Sequence, residues 1–347
     1  MTTKGVSGAT RRALQATIYH LPGAPYGAPR PVARRYFGRR SRALALVAAA
    51  TLASGWLGSC SSAPKRQTAV VERKNEAAEY AALADGFLAS GQYSSALQYY
   101  GEALDASLSV DDVAGAVKSR GSLGRAYLAI GGLDDAAREF GDALEDARAL
   151  GEPALVALCL SNLGELRYAS GDWDAADALF AEAEALAAGD EAIAAVVAHN
   201  RGVVAMARAD YAAAEAYVLR SAAANEKARR WSELGSNRYA LASIANARGD
   251  LPGALAWAAK ALEADKRAEN SPGIGADLEA LARLQLKSGN GAAAFDYYRR
   301  AFGLWLSLGR ADDAERCLAA LSGLASSLGK DGYAARYEAL LARLRER

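Results

Sequence analysis

The chain has 347 residues, 52% of them hydrophobic and 23% charged, and a formal charge of +1. That balance hides an asymmetry: residues 1–59 hold nine Lys/Arg and no Asp/Glu, leaving 32 basic against 40 acidic residues from Cys60 onward. A net-acidic main part argues against a general nucleic-acid binder, which needs a basic stripe against phosphates, though it leaves room for a local basic patch, and 347 residues are more than one compact core usually fills.

Residues 1–33 are Pro/Gly-rich and precede a complete export signal. They read as a disordered extension or an upstream mis-assigned start, with Val32 as an alternative start. Residues 34–59 carry that signal. Arg34, Arg35, Arg39, Arg40 and Arg42 form a charged head, and Ala43 to Trp56 an apolar stretch below the ~20 residues of a stable span. Leu57-Gly58-Ser59-Cys60 follows. This order resembles a bacterial lipoprotein signal with its lipobox. The resemblance implies removal of the signal, and a covalent diacylglycerol and acyl chain on Cys60. Several chains on one residue suffice for stable anchoring. Ser61, where some lineages place a retention Asp, resembles an outer-membrane sorting signal. The expected location is therefore the cell envelope, lipid-anchored at the outer membrane, with periplasmic and surface-exposed faces both open. Arg34-Arg35-Tyr36-Phe37 also resembles a twin-arginine export motif, from which Ala33 and Gly38 depart, so the export route stays open. Residues 60–76 are expected to be a tether.

From residue 77 to 347 the sequence repeats. An alanine recurs at Ala96, Ala136, Ala176, Ala214, Ala254, Ala294 and Ala334. Five residues before each stands Gly91, Gly131, Gly171, Ala209, Gly249, Gly289 or Gly329. A period near 40 residues means stacked supersecondary units. Ala-rich segments without period-two alternation read as helix, and Pro153, Pro252 and Pro272 fall where helices begin or connect. With the turn residue as position 15, the units begin at 77, 117, 157, 195, 235, 275 and 315. Position 7 is leucine except Arg201, position 8 is small, and position 24 carries Tyr100, Phe140, Phe180, Val218 and Tyr298. The segments at 121–140 (GSLGRAYLAIGGLDDAAREF) and 161–180 (SNLGELRYASGDWDAADALF) carry the pattern most fully. This resembles the tetratricopeptide repeat family in a 40-residue variety. The resemblance implies an all-α, right-handed α-solenoid of about seven helix-turn-helix repeats, about 14 helices.

Glycine at position 15 permits a positive φ, small residues at 8 and 20 permit close helix approach, and the aromatic at 24 fills the gap to the next unit. Ser94, Asp134 and Asp174 are expected to cap the second helices. The last unit has Glu338 and Leu341 where others have an aromatic and an alanine, as a solvated end would. Unit four is two residues short and holds Arg201 and Ala209, which predicts a local change of curvature.

In this family the first helices of the units line a concave groove, which implies a protein or peptide ligand there. The positions that face it supply Asn162, Tyr168, His199, Asn200, Met206, Tyr239 and Asn246, with Arg125 and Glu165 alongside. Amides suit a peptide backbone and aromatics its side chains. The same residues also suit packing between adjacent helices. Arg125 and Arg283, with Glu165 and Glu279 nearby, read as local ion pairs. His199 is the one histidine after Cys60, too few for zinc, and no catalytic motif is present, so neither an enzyme nor a resident cofactor is expected. Cys159 and Cys317 lie four repeats apart, roughly 40 Å, and read as buried free thiols. Acid pairs Asp111-Asp112 and Asp312-Asp313 read as helix starts. The leading expectation is a membrane-anchored scaffold. Two alternatives stand beside it, a surface adhesin and an accessory subunit of a small-molecule uptake system. Terminal repeats can stack, which would give a homodimer.

Overall fold

The computed structural model describes residues 68–345 apart from residue 188. Cys60, the lipobox and the whole export signal lie outside the described residues. Fourteen α-helices fill the described chain, with no strand among them. They are α1 (Ala69–Ala89), α2 (Tyr93–Leu108), α3 (Val113–Ala129), α4 (Leu133–Leu150), α5 (Pro153–Ala169), α6 (Trp173–Leu186) and α7 (Glu191–Ala207). Then follow α8 (Tyr211–Lys227), α9 (Trp231–Ala247), α10 (Leu251–Arg267), α11 (Ser271–Lys287), α12 (Gly291–Leu308), α13 (Ala311–Ser327) and α14 (Asp331–Arg345). Each helix packs on its neighbours in sequence, as an α-solenoid requires. The first helix begins at Ala69, eight residues ahead of the repeat register, so the end of the expected tether is helical.

The turn residue at position 15 ends each first helix in the left-handed conformation. Gly171 has φ +81°, its N–H donates to the Tyr168 carbonyl, and the Asp172 N–H donates to the Arg167 carbonyl. Ala209 adopts φ +60° and closes the same pair of bonds, to Met206 and Ala205. A Cβ in that conformation costs about 1–2 kcal/mol, partly offset by the stiffer unfolded chain. Ala209→Gly is therefore expected to raise the unfolding free energy by about 0.5–1 kcal/mol, read as an upward shift of the urea midpoint with unchanged slope.

The caps differ from expectation. Asp172, Asp210, Asp250 and Asn290, directly after the turn residue, accept the N–H three residues on. Asp134 and Asp174 stand two residues later, in the first turn, where a carboxylate meets the positive end of the helix dipole. The helix containing Ser94 starts at Tyr93 after Gln92, without a side-chain cap.

The core follows the repeat. Alanines at position 20 are buried in every unit, and a Cβ on Gly124 or Gly164 would stand 2.2 or 2.5 Å from the ring of Phe140 or Phe180. The glycine thus makes room for the aromatic. In the last unit Tyr337, one residue before position 24, is the buried aromatic, and Glu338 is exposed. Unit four compensates for its missing leucine with charge. Arg201 pairs with Asp177 and Glu184 of α6 and lies 4.7 Å over the Tyr217 ring. Helix α6, in unit three, has 14 residues, against 17 or 18 in the other second helices from α4 to α12, so the two missing residues belong to unit three and not, as expected, to unit four. Cys159 and Cys317 are buried free thiols, and burial pushes Cys159 up to about 12.

One contact joins distant parts of the chain. Arg310, in the turn between α12 and α13, donates from Nη1 to the Ala89 carbonyl, 3.4 Å away. Its stem packs against Gly91, and its Nε pairs with Asp313 at 2.6 Å. The turn of the first unit is thereby held to the junction of the last two.

Candidate functional site

The first helices bring four of the expected groove residues together. His199 and Met206 on α7 and Tyr239 on α9 line a cavity of about 350 Å³. Tyr239 also lines the neighbouring hollow, with Asn246, Arg283 and Lys287. There Lys287 donates to Asn246 Oδ1 at 2.8 Å, and Arg283 pairs with Glu279 at 3.3 Å. His199, Met206, Tyr239 and Asn246 are all half-buried, so each keeps a solvent face.

The other five sit differently. Asn162 is 3% exposed and wedged beside Gly121, a helix-packing place rather than a ligand-facing one. Tyr168 packs against the apolar cluster of Phe180 and Val204. Asn200 donates to Glu165 at 2.9 Å and to Ser161 at 3.2 Å, so its amide is engaged within the protein. Burial raises the Glu165 pKa, opposed by the Arg125 charge and the Asn200 bond. Arg125 itself is exposed and donates to Ser122.

Beneath the groove, the junctions between units use two recurring buried positions. One is position 31 of a unit, the other position 3 of the next. They hold Ser107 and Ser119, Ala147 and Cys159, Ala187 and Val197, Asn225 and Asn237, Asp265 and Asp277, and Trp305 and Cys317. Between units four and five the pair is amidic. Asn225 donates to Asn237 Oδ1 at 2.8 Å, and Asn237 Nδ2 bonds Ser221 at 3.0 Å and His199 Nδ1 at 2.9 Å. An amide N–H can only donate, so His199 accepts at Nδ1 and carries its proton on Nε2. Burial lowers the His199 pKa, which agrees with a neutral ring.

Between units five and six the pair is acidic. Asp265 and Asp277 are 3% and 1% exposed, and both line the cavity with His199, Met206 and Tyr239. Burial raises the pKa of each, and for Asp277 the neighbouring Asp265 raises it further. Two adjacent carboxyls out of water hold a shared proton, because a second negative charge there is unpaired. Asp265 accepts from Asn270 at 2.9 Å. Reasoning from groove-facing positions missed this pair. The signal available was the recurrence of polar residues at positions 31 and 3.

Among the described residues no cluster of His, Cys, Asp or Glu suits a metal ion, and no helix is long and apolar enough to cross a membrane.

No family model matches the sequence, and no curated protein matches it. Solved structures share the fold. A Rap protein complexed with competence and sporulation factor aligns over 78% of this chain and 75% of its own, with TM-score 0.57 and 17% identity. Aspartyl phosphate phosphatase F from Bacillus subtilis aligns over 81% and 73%, with TM-score 0.51 and 14% identity. A signal-transduction ATPase with a tetratricopeptide repeat sensor, from Pyrococcus horikoshii, aligns over 80% of this chain and 42% of its own, with TM-score 0.52 and 13% identity. The likeness is one of fold: an all-α solenoid of tetratricopeptide type.

Proposed function

We propose that this protein is a lipid-anchored scaffold of the bacterial cell envelope that holds an extended segment of a partner protein in its concave groove. The observation that carries the reading is the pair of neighbouring hollows, one lined by His199 and the other by Asn246, that share Tyr239 and Ser243 and are mixed in aromatic, amide and charged groups. Such a surface offers amides to a backbone and covered apolar places to side chains. The Rap protein of the same fold was solved with a bound factor, which supports binding as the use of the solenoid. Anchoring is argued from the Arg-rich head, the apolar stretch and Leu57-Gly58-Ser59-Cys60.

The test joins both halves. A photo-crosslinking residue at Tyr239 is expected to give discrete adducts in the envelope fraction, and the same group at exposed Leu219 on α8 is expected to give none of them. Met206→Glu should cut the Tyr239 adducts by at least tenfold. Cys60→Ala should move the protein out of the membrane fraction. Equal labelling from Tyr239 and Leu219 would reject the groove, and membrane retention of the Cys60→Ala protein would reject the lipid anchor. Protease accessibility on intact cells then separates a scaffold inside the envelope from a surface adhesin.

A further inference from the structure

Four acidic residues are buried in the described chain: Asp265, Asp277, Glu279 and Asp313. Two of them are answered by the protein. Glu279 accepts from Trp305 at 2.6 Å and pairs with Arg283 and Arg316, and Asp313 pairs with Arg310 and Arg316. Asp265 and Asp277 have no basic partner among the described residues. Asp277 Oδ2 is buried and accepts no hydrogen bond from any described donor. A buried carboxylate oxygen without a donor is costly, so either a proton or a cation belongs beside it.

The surroundings indicate which cation. The carboxyl pair lies in the wall of a cavity of about 350 Å³ that opens on the groove. Val203, Met206, Ala240 and Ala276 make other parts of that wall apolar, and Tyr239 contributes a ring. A cavity whose wall combines apolar side chains with a carboxyl pair suits a basic side chain, whose methylene stem is greasy and whose head is charged. The groups facing the pair are neutral or polar: His199 from α7, Ser236 and Tyr239 from α9, and Asn270 before α11. Gly235 and Gly273 leave the room that Asp265 occupies, since a Cβ on either would stand within 2.5 Å of its carboxylate.

We infer that this cavity is a specificity pocket for the ammonium or guanidinium head of a basic side chain in the partner segment, received between Asp265 and Asp277. The inference rests on the groove reading above. In the empty protein the pair shares one proton. When the cation enters, the Asp277 O–H bond breaks, the proton passes to solvent, and the carboxylate pairs with the incoming charge. No covalent bond to the ligand forms.

The probe is n-butylammonium, a lysine side chain without a peptide, with n-butanol as the neutral control. Carboxyl carbon resonances of Asp265 and Asp277 are expected to shift with butylammonium and not with butanol. Calorimetry in buffers of different ionisation heat should show about one proton released per cation bound. Asp277→Asn, which mimics the protonated acid and so keeps the fold, should weaken butylammonium at least tenfold. Unmoved carboxyl resonances, or equal effects of butanol, would overturn the inference. Two acetylated pentapeptides, lysine or norleucine between alanine pairs, separate it from the groove reading. Equal binding of both keeps the groove and removes the cation pocket. Binding of butylammonium with no binding of either peptide keeps the pocket and removes the groove.

Discussion

Phe180→Ala is expected to lower the unfolding free energy by about 3–5 kcal/mol and to split a single thermal transition into two. The ring is 1% exposed and fills the space that Gly164 leaves open between α5 and α6. Removing it leaves a cavity that a rigid glycine contact cannot close. Unit three is near the middle of the array, and each unit is stabilised chiefly through its neighbours. A weak third unit therefore isolates two units on one side from four on the other. Differential scanning calorimetry reads the outcome directly. A single transition, merely shifted downward, would mean that the array melts as one body despite the weakened unit.

Asp277→Asn is expected to stabilise the protein, by an amount that grows with pH. The folded pKa of Asp277 is raised to about 9, first by burial and then by Asp265. An unfolded aspartate titrates near 3.9. The sign follows from linkage: the unfolded chain gives up its proton first, so the folded state loses ground as pH rises. The contribution is whole below about pH 4 and falls by up to about 1.4 kcal/mol per pH unit until the folded group ionises. Asparagine donates to Asp265 as the protonated acid does but has no proton to lose. Melting temperatures of the two proteins should nearly coincide at pH 4 and separate steadily toward pH 9. Parallel curves across that range would show that the pair is not burying a shared proton.

The repeat register was readable because a stacked helix pair tolerates little at a few places. Position 20 must be alanine-sized, the turn must accept positive φ, and Phe140 and Phe180 need glycine opposite them. Those demands are local to one unit, so they recur with its period. His199, Met206, Tyr239 and Asn246 were legible for the same reason, since their positions face one way on every first helix. Asn162 and Asn200 share a similar face but are taken up by packing and by Glu165. The expected caps missed by two residues, because acidic residues are favoured both at a cap and within the first turn after it. The Asp265–Asp277 pair escaped because it spans two units. A pattern read unit by unit does not show what meets across a junction, and the buried Tyr337 shows how one residue's shift can move an aromatic off its position.

The bond from Arg310 to the Ala89 carbonyl turns a spring into a hoop. In an open solenoid a small rotation at each junction adds to the next, and the free end carries the total. With the first turn fastened to the junction before α13, the rotations along the intervening units must cancel. Prying apart the junction at Asp265 and Asp277 then demands tightening elsewhere in the hoop, or release of the clasp. The guanidinium that closes the hoop is thus the part of the molecule that feels the whole circumference, and not only its own turn.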